Sequence, residues 1–205
     1  ISHAATVVTR RSFWSPIVSA GMVGAIGSSL WSAPHWISYF NDSVGGPNGG
    51  RHHLANSNLD WGQDLTYLAK WLDGHPNAQP IGLAYYGMFH PRDVGISFTD
   101  IPGWIVDQDG ADPVYDDPRD EGPRAGWYAV SVNFVLGHPF WDYAADGSRK
   151  WFGRPYFRWF GFLEPVARAG YSIDIYHVTD EDVRRLREQC EKVSHDQSPV
   201  AVGDL

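Results

Sequence analysis

Asn56-Ser57-Asn58-Leu59-Asp60-Trp61-Gly62-Gln63-Asp64-Leu65 is the stretch around which the rest of the chain is arranged. It stands directly before the clearest amphipathic helix in the sequence, where Leu65, Leu68 and Leu72 recur at helical spacing. Asp60 is well placed as the N-cap of that helix, and Gln63 is at the position that completes a capping box. The sequence therefore predicts a polar loop leading into a helix.

The two carboxylates of this stretch support two interpretations. Asp60 and Asp64 are four residues apart, so both would lie on one face of the helix start, where the positive end of the helix dipole favours anions. In the first interpretation Asp60 only caps the helix and Trp61 only packs. In the second, the asparagines, the two aspartates and Gln63 line a polar site at the junction of loop and helix.

Several strings of residues occur in an order that resembles a known family. They are residues 35–41, residues 44–49 and residues 57–65, followed much later by residues 164–173 and Tyr176-His177. This order is similar to the C-terminal region of bacterial phospholipid-carrier-dependent membrane glycosyltransferases of the GT-C type, relatives of the protein O-mannosyltransferases. The likeness covers most of the chain, and its most specific part is the string that includes both aspartates.

The resemblance implies a function for the whole chain. That family moves a sugar from a polyprenyl-phosphate carrier to an acceptor on the outer face of the inner membrane, and its catalytic acid lies in an early loop to which no residue here corresponds. We therefore expect the last transmembrane helix and the C-terminal extracytoplasmic domain, with an accessory acceptor-side or scaffold role and no autonomous catalysis. The implied partners are the lipid bilayer, the rest of the parent enzyme, and the polyprenyl-phosphate sugar with its acceptor.

Composition narrows the classes of partner. The chain has 205 residues, a net charge of −8 and one cysteine. That charge argues against nucleic acid, which needs clustered Lys and Arg, and one cysteine cannot form an internal disulfide framework. The sequence predicts no metal centre and no cofactor. Ten tryptophans suit membrane interfaces and sugar-binding faces, because each has an apolar body and a polar tip.

The N-terminal segment predicts a transmembrane-like helix. An uncharged run over residues 12–34 follows Arg10 and Arg11, and by the positive-inside rule it would place the following domain outside. A signal segment and a buried soluble helix are the alternatives. We expect residues 1–34 to be this helix with its flanks, residues 35–195 the extracytoplasmic domain, and residues 196–205 a disordered tail.

The remaining pattern alternates between helices and strands. Strands are predicted at residues 81–87, 126–135 and 172–178, a helix over part of residues 155–169, and a last helix capped by Thr179 and Asp182. This order predicts an α/β fold with a small mixed or parallel sheet flanked by helices. Ligands of such sheets bind at the carboxyl ends of strands, which adds Asn133 and His177 to the candidates. The full set of candidate substrate-binding residues is Asn58, Asp60, Trp61, Gln63, Asp64, Asn133 and His177.

Two further functions fit the same residues. A self-standing carbohydrate-binding domain would use exposed Trp and Tyr faces with Asn and Asp side chains. A glycoside hydrolase would use Asp60 and Asp64 as its pair of carboxylates, which requires that the environment raise the pKa of one of them.

Overall fold

The computed structural model describes residues 14–38, 40, 43, 45–53, 59–103, 122–152 and 156–196. The chain divides into two compact units, Ile1–Trp36 and Ile37–Leu205. The tail was predicted over residues 196–205; Asp196 is instead the last residue of the C-terminal helix, and residues 197–205 lie outside the described residues. The arginine pair at residues 10 and 11 and Asn58 also lie outside them.

The first unit contains one helix, α1 (Trp14–Trp31), within its described residues. Its end is closed by the Ser32 hydroxyl and the Trp36 indole, which donate to the carbonyls of Ser28 and Ser29 at 2.9 Å. None of the described helices is both long enough and apolar enough to cross a membrane. The segment predicted as a transmembrane helix does form a helix, α1. Its glycine and serine residues lower its mean hydropathy, so the prediction that it spans a membrane is not supported.

The described residues of the second unit include a one-turn helix, α2 (Gly46–Gly49), and a five-stranded mixed sheet on which the unit is built. Its strands are β1 (Ile81–Ala84), β2 (Phe98–Thr99), β3 (Gly126–Ser131), β6 (Ala167–Ala169) and β7 (Ile173–Val178). Their order is β2-β1-β3-β7-β6. β1 is parallel to both of its neighbours, whereas β7 is antiparallel to β3 and to β6. The prediction of an α/β fold with a small mixed sheet is confirmed.

Apolar side chains cover both faces of this sheet. On one face α3 (Leu65–Asp73) contributes Leu65, Leu68 and Leu72, which pack with Leu83 and Ile175. The other face carries an aromatic cluster that also contains Leu186 of α5 (Asp180–Asp196). The aromatic members are Tyr86, Tyr128, Phe134, Tyr156, Phe157, Trp159, Phe160 and Tyr176. The uninterrupted apolar run of β1 is explained by burial from both sides.

Short-range signals were accurate around α3, β7 and α5. The helix expected after the polar loop is α3, and Gly74 is its C-cap. At the start of α5, the Thr179 hydroxyl accepts from the Asp182 N–H at 3.2 Å, while the Asp182 carboxylate accepts from the Thr179 N–H at 3.0 Å. That reciprocal pair is the predicted capping box.

Three local predictions were wrong. β3 ends at Ser131, and the next residues form a one-turn helix, α4 (Val132–Val135), because the chain turns at the sheet end. Residues 140–152, for which the sequence predicted no strand, contain a hairpin of β4 (Phe140–Tyr143) and β5 (Arg149–Phe152). The helix predicted over residues 155–169 is a 3-10 turn (Arg158–Phe162) followed by β6, since pairing with β7 outweighs local helix propensity.

Candidate functional site

The polar loop before α3 lies at the sheet end where the parallel strands β1 and β3 finish. Tyr85 directly follows β1, and its hydroxyl donates to the Gly62 carbonyl at 3.2 Å. Ser131 ends β3, and its hydroxyl donates to the Asp60 carboxylate at 2.5 Å. The loop thus occupies the position at which open α/β sheets bind ligands. We call Asp60, Asp64 and the groups that donate hydrogen bonds to them the two-aspartate site.

Asp60 is fully buried and outside the helix. Its Oδ1 accepts the Gly62 N–H at 2.8 Å and its Oδ2 accepts from Ser131. Burial raises the pKa of Asp60 from its ordinary 3.8 to about 7, although hydrogen bonds from Ser131 and Gly62 lower it, and the nearby Asp64 carboxylate raises it further. The predicted N-cap role of Asp60 is wrong, because its carboxylate links the loop to the end of β3 instead.

Asp64 is also fully buried, and it connects the start of α3 to the turn between β6 and β7. Its Oδ2 accepts the backbone N–H groups of Tyr171 at 2.8 Å and Ser172 at 2.9 Å. It occupies the N-cap position of α3, but its side chain makes no capping hydrogen bond. The prediction that both carboxylates lie on one face of the helix start is therefore wrong, because Asp60 lies outside α3 and each carboxylate binds a different strand end.

Glycines make the close packing of this site possible. Gly170 has φ +61°, and a Cβ placed on it would lie 2.1 Å from Cγ of Asp64. Gly62 has φ +87°, and a Cβ there would lie 1.9 Å from the Tyr85 hydroxyl. At both positions the backbone has a left-handed conformation, and the space beside Cα holds a hydrogen atom but not a methyl group. The site therefore depends on glycine as much as on its acids.

Ser172 places a third polar side chain in the same buried region. Its side chain is fully buried, and its Oγ makes no hydrogen bond within the described residues. The hydroxyl is close enough to Asp60 to lower the pKa of that carboxyl. Buried hydroxyl groups are normally hydrogen-bonded. The Ser172 hydroxyl therefore adds a further polar group with unused hydrogen-bonding capacity to the region around both aspartates.

Gln63 holds the loop together from within. Its amide nitrogen donates to the Leu59 carbonyl at 3.0 Å and to the Ser38 hydroxyl at 3.1 Å, while its amide oxygen accepts the Trp61 N–H at 2.8 Å. Gln63 is therefore not the partner of a capping box, and its amide is used internally rather than directed at a ligand. Trp61, between these bonded residues, is 55% exposed.

A buried ion pair supports the turn from the opposite side. Both guanidinium nitrogens of Arg51 reach the Asp174 carboxylate, at 2.8 and 3.2 Å, and one also donates to the Tyr171 carbonyl at 3.2 Å. Arg168 approaches the same carboxylate at 3.1 Å. The Tyr171 backbone is thus held between Arg51 and Asp64. The sequence offered little signal for this pair, since Arg51 only follows a glycine-rich run.

A further buried carboxylate, that of Asp142, attaches the β4–β5 hairpin to the same sheet end. Asp142 accepts the backbone N–H groups of Tyr85 at 3.0 Å and Tyr143 at 2.7 Å. Burial raises its pKa from 3.8 to about 8, although these two hydrogen bonds lower it. Nothing local in the sequence distinguishes Asp142 from the exposed acids of loops.

The other predicted site residues are not all brought together. Asn133 is fully buried in α4, two residues beyond Ser131 and so at the same sheet end. His177 lies near the carboxyl end of β7, as expected, but it pairs with Trp127 at the beginning of β3, which places it at the sheet end opposite the aspartates. There it lines an open groove of about 500 Å³ with Phe162, Glu164 and other side chains. The two candidate positions are separated because β7 runs antiparallel to β3.

Comparison with known proteins gives no assignment. No protein-family model, curated protein or solved structure matches the chain. Nor do the described residues contain a group of three or more His, Cys, Asp or Glu side chains that could hold a metal ion. The two-aspartate site and the surface that it shapes are therefore the features of the described residues that bear on function.

Proposed function

We propose that this chain is the C-terminal extracytoplasmic domain of an inner-membrane glycosyltransferase that uses a polyprenyl-phosphate sugar donor. In this proposal the domain has an accessory acceptor-side or scaffold role. The observation that carries it is the loop 59–64, whose backbone is fixed by Asp60, Gln63 and Asp64 while Trp61 stands 55% exposed. A rigid loop with an exposed indole presents a surface on which a sugar or an aromatic acceptor group can stack.

The geometry of the carboxylates favours this role over hydrolysis. Asp60 and Asp64 are each 0% exposed, and both accept hydrogen bonds from groups of the chain itself. A glycosidase carboxyl must touch the glycosidic oxygen or the anomeric carbon, which neither carboxylate reaches in this arrangement. The raised pKa of Asp60 follows from burial, and structural networks perturb pKa values as active sites do.

A self-standing carbohydrate-binding domain is the second candidate. The same exposed indole of Trp61 favours it, because sugar-binding faces are built from fixed aromatic rings. None of the described helices could cross a bilayer. The proposed role concerns the domain that follows α1, so it does not require α1 to be a membrane span. The two candidates therefore differ in one respect, whether the domain binds sugar when separated from the rest of an enzyme.

A paired assay distinguishes them. The purified chain is supplied with polyprenyl-phosphate sugars and acceptor, and separately titrated with soluble oligosaccharides while the fluorescence of its tryptophans is followed. We expect no sugar transfer and no saturable oligosaccharide binding. Saturable binding that Trp61→Ala abolishes would favour the carbohydrate-binding domain, and transfer well above a no-protein control would contradict the accessory role.

A further inference from the structure

The chain exposes a group of large apolar side chains on and beside the β4–β5 hairpin. Phe89 is 66% exposed, Met88 56%, Trp151 50% and Trp141 44%. The two indoles are directly paired across the hairpin. We call these four residues, together with the exposed Arg149, the hairpin patch. Large apolar side chains that are exposed next to one another mark interaction surfaces.

Hydrogen bonds make the hairpin patch one continuous surface. The Tyr143 hydroxyl donates to the Met88 carbonyl at 2.8 Å, and the Arg149 guanidinium lies 3.9 Å from the Met88 sulfur. The patch also adjoins the loop of Trp61, because a Cβ on Gly62 would lie 3.2 Å from Cα of Gly87. The exposed apolar residues therefore cluster at the sheet end that carries the two-aspartate site.

A single cation stands within this apolar group. The Arg149 guanidinium lies 5.8 Å from the ring centroid of Trp141 and 5.1 Å from that of Tyr143. It makes no ion pair with any carboxylate among the described residues. The neighbouring Lys150, by contrast, lies 3.9 Å from Asp100. Arg149 thus places a positive charge among exposed apolar side chains.

We propose that the hairpin patch rests on the headgroup region of an anionic lipid bilayer, with Phe89 and Met88 entering the interface and Arg149 facing lipid phosphate. Exposures of 56 and 66% mean that Met88 and Phe89 project outward rather than line a groove. Tryptophan and apolar side chains mixed with a cation are the composition of surfaces that lie on a membrane. This inference stands apart from the glycosyltransferase proposal, since it concerns a surface and not an activity.

The ring geometry favours a bilayer over a saccharide. The planes of Trp141 and Trp151 are inclined at 59°, with ring centroids 5.6 Å apart. Inclined rings in mutual contact do not form the flat platform that stacks on a sugar ring. The Arg149 guanidinium also occupies space over Trp141. A disordered, amphiphilic partner with phosphate groups suits this surface better than a rigid saccharide.

Site-specific fluorescence tests this surface directly. A polarity-sensitive fluorophore is attached to the full chain at Phe89→Cys or, as the control, at Phe162→Cys in the groove of His177. Both variants carry Cys190→Ser, since Cys190 is the one natural cysteine. On adding phosphatidylcholine vesicles that contain phosphatidylglycerol, we expect a blue shift at position 89 and none at 162. Because every variant retains α1, this readout separates the hairpin patch from vesicle binding by that helix.

Three results would overturn the inference. These are no vesicle binding, vesicle binding in which position 89 remains in water, and a blue shift at position 89 caused by soluble oligosaccharide without vesicles. Charge provides a second measurement. Arg149→Gln should weaken binding to phosphatidylglycerol-containing vesicles by about fivefold, whereas Arg184→Gln, which removes an exposed arginine paired with Glu181, should leave it unchanged. Equal loss in both variants, or none in Arg149→Gln, contradicts a headgroup contact.

Discussion

Replacing Asp60 by asparagine should make the folded chain less sensitive to pH. The folded-state pKa of Asp60 is about 7 and its ordinary value is 3.8, so the folded state binds this proton more tightly than the unfolded state. The resulting stability is fully present below pH 3.8 and is lost as the pH rises through 7. Each pH unit between the two values is worth about 1.4 kcal/mol, so wild type should lose about 2 kcal/mol between pH 5 and pH 7 from this group.

Asparagine reproduces the neutral form of the side chain at every pH. Its carbonyl oxygen accepts the Gly62 N–H as Oδ1 of Asp60 does, and its amide donates to the Ser131 hydroxyl, which is able to accept. Asp60→Asn should therefore match wild type within about 1 kcal/mol at pH 5 and exceed it by about 2 kcal/mol at pH 7. Urea unfolding of both chains at pH 5, 6, 7 and 8 measures the difference.

A matched control separates this effect from general electrostatics. The hydrogen bond from the Thr179 hydroxyl holds the pKa of Asp182 below its ordinary value, so Asp182→Asn should lower stability without changing the slope between pH 5 and 7. Parallel pH curves for wild type and Asp60→Asn would refute the reasoning. An Asp60→Asn chain that becomes the less stable one as the pH rises would show that the buried carboxylate is ionised and stabilising.

Two further substitutions test the packing of the site. Gly170→Ala should cost about 3 kcal/mol in urea unfolding, since its Cβ would overlap Asp64 in a left-handed backbone, whereas Gly95→Ala, with φ +79° and open space, should cost about 1 kcal/mol. Equal costs would mean that Asp64 moves freely. Arg51→Ala removes the bidentate pair with the buried Asp174 and should lower the unfolding free energy by about 3 kcal/mol, and a loss under about 1 kcal/mol would show that the pair is not structural.

The elements that the sequence identified are those set by residues close together in the chain. The apolar spacing of Leu65, Leu68 and Leu72 marked α3, and the Thr179 and Asp182 pair marked the start of α5. Alternation over residues 172–178 likewise indicated β7. In each case the residues that form the recognisable pattern lie within a few positions of one another, so the pattern is visible without knowledge of the tertiary partners.

The site was only partly predictable, because its partners are distant in sequence. The sequence predicted Asp60 as an N-cap, but its carboxylate accepts a hydrogen bond from the hydroxyl of Ser131, which is 71 residues away. Asp64 bonds to backbone groups more than 100 residues later. His177 was expected at the carboxyl end of a strand and lies there, but the direction of β7, which no local pattern encodes, places it at the sheet end away from the aspartates. The sequence thus drew attention to the polar loop and its two carboxylates, but it did not indicate which groups those carboxylates contact.

The accessory acceptor-side role is tested most directly by the acceptor KM of the intact enzyme when Trp61 is removed. Membranes containing the full-length protein are assayed with polyprenyl-phosphate sugar and acceptor for wild type, Trp61→Ala and the control Phe162→Ala. We expect Trp61→Ala to raise the KM for the acceptor by about tenfold, the value of a stacked ring, and to leave the KM for the donor unchanged. An unchanged acceptor KM, or an equal rise in the donor KM, would contradict it.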